Sequence, residues 1–286
     1  MSDICRFINQ TEDIFVGPDG IWETSLYSVT QQRELERRDE IALAAPEVVE
    51  DLLRLISFHH SIGVMKHEHR LFIDSIPLGG VVLDVGAGWG WHWIGISKYR
   101  PDLVVCILDM SRQNLLRAKH VLRDEVGGSF VFVCGDALDL KIRDQSIDGY
   151  WSVQTLQHVP SFIKAVSEAN RVLKDGGVFA SYSLNTQPIL RFVSKVLRRN
   201  YVVDGEFFEG VHLRRASESQ RKSMCSVFGT EVESRYTEIL FSPEIYVNFP
   251  GRDRSFWGKV DIALSGKSRI ARIFGRQCSF HTVKVG

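Results

Sequence analysis

The sequence predicts an α/β protein built on a doubly wound sheet of mostly parallel strands. Three short apolar runs, at residues 81–85, 104–108 and 130–134, have the length and composition of buried strands. Each run leads into glycine or an acidic residue, and a helix-compatible segment follows the first two. Because the carboxyl ends of parallel strands share one edge of a sheet, we expect these polar residues to converge there.

Three alternating glycines, Gly86, Gly88 and Gly90, follow the first predicted strand. Glycine lets a ligand approach the backbone where a side chain would collide. Residues 91–99 are predicted to form a helix whose N-terminal amides face the same point. A dinucleotide fingerprint would need glycine at position 91, where this chain has tryptophan. The spacing favours a nucleotide-type cofactor other than a nicotinamide dinucleotide, and a tight turn that holds no ligand is the alternative.

The second predicted strand ends at Asp109, which lies 25 residues after Asp84. A carboxylate at this strand end can accept hydrogen bonds from both hydroxyls of a ribose. Ser111 is predicted to cap the following helix, and Met110 to cover one face of an adenine ring. The structural alternative for Asp109 is a cap or turn residue.

The third predicted strand is followed by a second acidic residue. Asp136 can accept a hydrogen bond from an adenine amine, while the backbone amide of Ala137 donates to a ring nitrogen.

The fourth predicted strand, residues 147–153, leads into Gln154 and His158. A helix through residue 172 and a turn at 174–177 then precede a fifth strand at 178–183. Further along, a helix at 217–228 is predicted to end at Gly229, before a sixth and a seventh strand at 231–240 and 278–285.

Taken together, the segments L-D-V-G-A-G-W-G, I-L-D-M-S, C-G-D-A, Q-H-V and R-V-L-K-D-G-G resemble class I S-adenosylmethionine-dependent methyltransferases. The nearest group is the small-molecule branch typified by enzymes of ubiquinone and menaquinone biosynthesis. The similarity is strong over residues 80–185 and weak over 212–286. It implies a Rossmann-like sheet of seven strands with an antiparallel last strand, and S-adenosylmethionine at the carboxyl edge.

The resemblance also implies roles for single residues. The expected cofactor-binding residues are Asp84, Gly86, Gly88, Gly90, Asp109, Met110, Asp136, Ala137, Ser152 and Gln154. His158 is the candidate catalytic residue, a general base for a hydroxyl acceptor, since it lies just beyond strand four and an ordinary histidine pKa is about 6.5. A histidine that only contacts the loop is the alternative.

Three regions are expected along the chain. Residues 1–79 would form an N-terminal helical cap, and residues 80–286 the methyltransferase core, with 186–222 inserted as the acceptor pocket. Within the cap, Trp22 and Tyr27 are either pocket walls or plain packing aromatics.

Composition and charge limit the classes of partner that we expect for this protein. The formal net charge is zero, which argues against a large nucleic-acid footprint. No apolar run approaches the length of a membrane span and no signal peptide is evident, so we expect a cytoplasmic protein. The spacing of four histidines (His59, His60, His67 and His69) matches no zinc pattern, and we expect no metal. The last 36 residues hold eight Lys or Arg against two Asp or Glu, which indicates either a solvated face or a site for an anionic acceptor.

The predicted function is transfer of a methyl group to a small-molecule acceptor, with O-methylation of a natural product, sugar or lipid-like metabolite favoured. The rival hypotheses are a tRNA or protein methyltransferase and a non-catalytic S-adenosylmethionine-binding protein. An N-P-P-Y tetrapeptide, favoured where planar amines are methylated, is absent after strand four, where the chain reads Ser-Val-Gln-Thr at 152–155. The sequence leaves the oligomeric state open, with a homodimer as one option.

Overall fold

A nine-stranded sheet forms the centre of the protein. The computed structural model describes residues 7–9, 14–24, 29–125, 129–208, 211–242, 247–248 and 256–286. In these residues the strands are β1 (Ile14–Val16), β2 (Ile21–Thr24), β3 (Val81–Val85), β4 (Val104–Asp109), β5 (Ser129–Cys134), β6 (Ile147–Val153), β7 (Leu173–Leu184), β8 (Asp204–Phe208), β9 (Val211–Arg214), β10 (Glu233–Thr237), β11 (Phe241–Ser242), β12 (Val247–Asn248) and β13 (Gln277–Val283).

The strand order in the main sheet is β1-β2-β5-β4-β3-β6-β7-β13-β10. Strands β2 to β7 of this order pair in parallel, whereas β13 runs antiparallel to both β7 and β10. The seven strands β5-β4-β3-β6-β7-β13-β10 therefore confirm the predicted seven-stranded sheet. Strand β13 confirms its antiparallel last strand. The hairpin β1–β2 adds two further strands beyond β5, so the sheet is larger than predicted.

Helices cover both faces of the sheet, and several begin or end at the predicted residues. They are α1 (Val29–Ala44), α2 (Val49–Ile56), α3 (Ile62–Asp74), α4 (Ile96–Tyr99), α5 (Arg112–Val121), α6 (Phe162–Val172), α7 (Pro188–Val196), α8 (Glu218–Phe228), α9 (Phe256–Leu264) and α10 (Arg269–Phe274). The Ser111 hydroxyl caps α5 by accepting from the Asn114 amide. A capping box at Ser217 starts α8, which ends at Gly229 with φ 66°.

The helix predicted for residues 91–99 is broken. Its first part is a single 3-10 turn, Trp91–Trp93, and α4 covers only Ile96–Tyr99. Gly95 separates the two with φ 89°, and its amide donates to the Glu125 carboxylate. A left-handed residue cannot continue an α-helix, so no long helix points its N-terminal amides at the glycine loop.

Two apolar cores lie on opposite faces of the sheet. Along β3, Leu83 and Val85 belong to one core and Val82 to the other. Successive side chains of a strand point to opposite faces, and a central parallel strand is buried on both. This explains why the strands read as continuous apolar runs in the sequence.

The N-terminal region differs in part from the expected helical cap. Helices α1 to α3 are present, but β1 and β2 belong to the main sheet. Trp22 lies in β2 and packs in a core, so it is a packing aromatic, and Tyr27 lies outside the described residues. Among the described helices, none is both long and apolar enough to cross a bilayer.

Candidate functional site

A cavity of about 920 Å³ opens at the carboxyl ends of β3, β4, β5 and β6. This is the edge where ligands bind in doubly wound sheets, and the volume lies near the upper end of the roughly 300–1,000 Å³ of small-molecule sites. Eight of the predicted site residues line it: Gly86, Gly88, Asp109, Met110, Asp136, Ala137, Gln154 and His158.

The glycine loop brings backbone to the cavity wall at two positions with different surroundings. Gly86 (φ 71°) donates its amide to the Leu108 carbonyl at 2.8 Å. A Cβ on Gly86 would lie 2.5 Å from the Cβ of Thr155. Gly88 (φ 54°) has open space where its Cβ would be. Gly86 therefore allows a close approach within the protein, whereas Gly88 leaves room on the cavity side.

Asp109 is held by three hydrogen bonds at the end of β4. Its carboxylate accepts from the Gly88 amide at 2.8 Å, the Ser111 amide at 2.9 Å and the Asn114 side-chain amide at 3.1 Å. Burial raises the pKa of Asp109 despite these donors. A carboxylate offers about four lone-pair positions, so capacity remains for a hydroxyl from the cavity. Asn114 was missed in the sequence, because only the fold turns α5 back toward the strand end.

The expected adenine end is formed by residues after β4 and β5. Met110 and Ala137 line the cavity. The Asp136 carboxylate accepts from the Leu138 amide at 2.9 Å, a turn geometry that presents the following backbone to the same space.

Gln154 adopts a backbone conformation that is rare outside glycine. Its φ is 52°, which costs on the order of 1–3 kcal/mol and is commonest at functional sites. The backbone amide of Gln154 donates to the Tyr182 carbonyl at 2.7 Å. The buried side-chain Nε2 has no hydrogen-bond partner among the described residues. Buried donors are normally hydrogen-bonded, so Gln154 Nε2 is available to donate to a ligand in the cavity.

His158 lies on the cavity wall with both ring nitrogens engaged. The Leu184 amide donates to Gln157 Oε1 at 2.7 Å, which leaves the Gln157 amide group as a donor toward His158 Nε2 at 3.1 Å. His158 Nδ1 lies 2.6 Å from the His212 carbonyl and therefore carries the proton. Burial lowers the pKa of His158 to about 4, so the ring is neutral at physiological pH.

Three of the predicted cofactor-binding residues lie behind the wall. The Asp84 carboxylate accepts from Trp93 Nε1 at 2.7 Å, beside the core that contains Val82. Burial raises the pKa of Asp84 to about 7. A Cβ on Gly90 would meet Leu122 at 3.0 Å. The Ser152 hydroxyl donates to the Val85 carbonyl at 2.9 Å. None of the three lines the cavity, because each is turned toward neighbouring elements, so their direct contact with a cofactor stays a prediction.

An apolar chamber continues the cavity beyond the glycine loop. It is lined from α2 by Leu55 and Ile56, and from α7 by Leu190 and Val193, with Leu197 directly after the helix end. The sequence assigned the region 186–222 to an acceptor pocket without naming these residues. The signal was present as an i, i+3, i+7 repeat at 190, 193 and 197, which places one side of α7 on the cavity.

Three of the four arginines that line the cavity, Arg38, Arg215 and Arg276, are bound to the protein. Arg38 pairs with Glu34 at 3.1 Å, and the buried Arg276 pairs with Glu238 at 2.8 Å. Arg215 donates to the Val202 carbonyl at 2.8 Å. These contacts stabilise α1 and the loops around the chamber.

Two further histidines, the buried His92 and the half-buried His60, also reach the cavity wall. His92 stacks on Trp91 with ring centroids 3.8 Å apart, and His60 lies 5.9 Å from the same indole. Burial lowers the pKa of His60 to about 3, and holds the pKa of His92 well below its usual value. Within the described part of the chain, no set of three His, Cys, Asp or Glu residues is placed to hold a metal ion.

Comparison with known proteins agrees with this geometry. Residues 83–181 match the family described as a methyltransferase domain. The match begins in β3 and ends in β7, so it contains the glycine loop, Asp109, Asp136, Gln154 and His158.

Curated relatives include sterol 24-C-methyltransferases of fungi. The protein from Eremothecium gossypii is 30% identical over 175 residues, which are 56% of this chain and 47% of the relative. The one from Neurospora crassa is 34% identical over 128 residues, which are 44% of this chain and 33% of the relative. The chain thus spans about half the length, or less, of the curated relatives that it matches.

Solved structures share the fold at low sequence identity. A chain of the complex between the Haloferax volcanii Trm112 methyltransferase activator and a methyltransferase has a TM-score of 0.56 and 17% identity, covering 92% of this chain and all of that one. A SAM-dependent methyltransferase from Thermotoga maritima has a TM-score of 0.51 and 16% identity, covering 77% of this chain and 88% of that one.

The cyclase SpnF has a TM-score of 0.52 and 16% identity, covering 77% of this chain and 82% of that one. The protein therefore has the Rossmann-like fold of class I methyltransferase structures, and its central segment, residues 83–181, is similar to the methyltransferase domain family.

Proposed function

We propose that this protein is a methyltransferase that uses S-adenosylmethionine and acts on a small, largely apolar acceptor. The observation that carries the proposal is the single cavity that joins Asp109 and the glycine loop to an apolar chamber under α7. One end has the donors and acceptors of a nucleoside site, and the other has the lining of a site for a hydrocarbon-like molecule.

The residues present fit the cofactor. Asp109 has capacity for a ribose hydroxyl, and Gly88 leaves open space where a side chain would block approach. The unpartnered Nε2 of Gln154 offers a donor for the methionyl carboxylate. Met110 and the segment at Asp136 would hold the adenine. When bound, S-adenosylmethionine supplies a methyl group on a positively charged sulfur, which is a good leaving group.

The chamber favours an apolar acceptor over an anionic one. Three of its four arginines are already paired with carboxylates or carbonyls, as described above, so an anionic group would have to displace those partners or rely on the fourth, Arg199. The sterol 24-C-methyltransferase relatives, by their name, act on a lipid at carbon. We therefore place a lipid-like metabolite first, and the phosphorylated or otherwise anionic acceptor second.

The contribution of the chain to the reaction is chiefly orientation. Holding the acceptor in line with the methyl group can supply an effective molarity of roughly 10⁵–10⁸ M. If the acceptor is a hydroxyl, His158 Nε2 could take its proton only after releasing the hydrogen bond from Gln157. O-methylation through His158 therefore stays a prediction, and methylation at carbon is the alternative that the relatives favour.

A fold of this kind does not by itself determine the reaction, as the similarity to a cyclase illustrates. The rival hypotheses are a tRNA or protein methyltransferase and a protein that binds the cofactor without turnover. The apolar lining of the chamber argues against a macromolecular acceptor. The branch typified by ubiquinone biosynthesis, a cytoplasmic location and a homodimer also stay predictions.

Two measurements test the proposal in sequence. Calorimetry should show binding of S-adenosylmethionine and S-adenosylhomocysteine and none of NAD. Methyl-labelled cofactor incubated with sterols, other polar lipids and phosphorylated sugars should then label a lipid, and mass spectrometry should locate the methyl group. Absence of cofactor binding would contradict the proposal at its base. Binding without any labelled product across these classes would favour the non-catalytic reading.

A further inference from the structure

Helix α7 has an exposed apolar stripe beside the stripe that lines the cavity. Residues 190, 193, 194 and 197 line the cavity. Ile189, Phe192 and Val196 follow the same i, i+3, i+7 spacing on a neighbouring stripe, and they face solvent, with Phe192 66% exposed. At about 100° per residue these two stripes are separated by roughly a third of a turn. The exposed stripe is therefore additional to the one that lines the cavity.

Helix α10 extends this exposed apolar surface. Gln187, at the start of α7, donates its side-chain amide to the Phe274 carbonyl at 2.7 Å, which holds the end of α10 beside α7. Ile270, Ile273 and Phe274 of α10 are all exposed. We call the exposed apolar residues of these two helices the α7–α10 surface: Ile189, Phe192, Val196, Ile270, Ile273 and Phe274.

The charged residues on these two helical segments are all basic. Residues 188–199 and 269–274 contain six Lys or Arg and no Asp or Glu, in a protein whose formal net charge is zero. On α7, Arg191 and Lys195 are exposed and flank the apolar stripe on the side that does not line the cavity. Exposed aromatic and aliphatic side chains flanked by basic ones are the pattern of helices that lie in the interface of anionic membranes.

We propose that the α7–α10 surface docks the protein on an anionic lipid membrane. The apolar stripe would enter the headgroup region while the basic side chains contact lipid phosphates. Because the neighbouring stripe of α7 lines the cavity, docking places the apolar chamber next to the bilayer. A lipid-like acceptor could then enter without crossing water, which deepens the proposed function. The docking itself does not depend on the reaction.

Vesicle co-sedimentation of the full chain tests the proposal. Vesicles of phosphatidylcholine with about a third phosphatidylserine are compared with vesicles of phosphatidylcholine alone. We expect at least tenfold tighter binding to the anionic vesicles at low ionic strength, and clear weakening at about 1 M salt, where charges are screened beyond about 3 Å.

Matched variants distinguish binding through this surface from nonspecific hydrophobic binding to vesicles. Phe192→Ser with Val196→Ser should weaken vesicle binding at least tenfold, and so should Arg191→Glu with Lys195→Glu. None of these four side chains lines the cavity. The control is Leu78→Ser with Val285→Ser, which removes two exposed apolar side chains elsewhere and should leave binding unchanged. Equal thermal midpoints and equal affinity for S-adenosylmethionine show that the variants are folded.

Several results would overturn the proposal. The first is that the wild type shows no preference for anionic vesicles. The second is that the control variant loses as much vesicle binding as the Phe192→Ser, Val196→Ser variant. The third is that the folded Phe192→Ser, Val196→Ser variant binds vesicles as tightly as the wild type. Sedimentation analysis adds one more: if the wild type is a dimer that this variant dissociates, and vesicles are not bound, the surface is an interface between copies. Failure of cofactor binding would contradict the proposed function and leave the membrane result standing.

Discussion

Alanine at Gly86 and at Gly88 should produce opposite kinds of damage. Both glycines have left-handed backbone, with φ 71° and 54°. They differ in what a new Cβ would meet. At Gly86 it collides with Thr155, whose hydroxyl donates to the Gly86 carbonyl at 3.2 Å and the Val153 carbonyl at 3.1 Å. At Gly88 the Cβ enters open space beside the cavity.

The expected losses of stability follow from these surroundings. A left-handed alanine costs roughly 1–2 kcal/mol at either position. Thr155 is short and anchored by two hydrogen bonds, so it cannot move aside cheaply, and overpacking adds about 1–3 kcal/mol. The free energy of unfolding should therefore fall by about 2–5 kcal/mol for Gly86→Ala and by about 1–2 kcal/mol for Gly88→Ala.

Ligand binding should reverse the ranking once folding is accounted for. Gly88→Ala fills space that the bound cofactor would approach, so calorimetry should show at least tenfold weaker binding of S-adenosylmethionine by this folded variant. Urea unfolding monitored by tryptophan fluorescence measures the stability of both. Adding Thr155→Gly should recover part of the loss in Gly86→Ala, since it removes the collision, and a double-mutant cycle isolates that coupling.

Two outcomes would refute this reasoning. If Gly86→Ala is no less stable than Gly88→Ala, Thr155 does not constrain the loop as the structure indicates. If Gly88→Ala binds the cofactor as tightly as the wild type, the open space beside Gly88 is not where the ligand lies.

Three further predictions concern single side chains. Asp109→Ala should weaken S-adenosylmethionine binding at least tenfold in calorimetry, since a hydrogen bond to a charged group is worth about 1.5–3 kcal/mol; an unchanged dissociation constant would make Asp109 a purely structural residue. Burial raises the pKa of Asp84 to about 7, so the folded state holds a proton that the unfolded state has lost, and stability should fall as pH rises from the ordinary aspartate value toward 7. Asp84→Asn should remove that slope in urea titrations at several pH values, and identical slopes would count against the buried acid. If His158 is a general base, His158→Ala should lower turnover by roughly 10²–10⁴-fold, and the wild-type rate should decline only as pH falls through about 4, its lowered pKa; a break near 6.5 would point to another group.

The parts of the site that could be predicted from the sequence are those encoded by neighbouring residues. A buried strand that runs into glycines, or that ends in Asp109, carries its own signal, because burial on both faces demands an uninterrupted apolar run. The caps at Ser111 and Ser217 are equally local. Since parallel strands share one carboxyl edge, the convergence of these strand ends on one cavity also followed from the pattern.

Contacts between distant segments decided the rest. Asp84 and Asp109 look alike in the sequence, yet Trp93 draws one into the core while the Gly88 amide holds the other at the cavity. His158 was predicted as a base with an ordinary pKa, but Gln157 and the His212 carbonyl engage both of its nitrogens. The apolar chamber depends on where α7 packs across the cavity. The sequence by itself determined the fold and the glycine–carboxylate edge, because those rest on local pattern. Only the tertiary structure decided which groups face the ligand, because burial and hydrogen-bond partners depend on residues far apart in the chain.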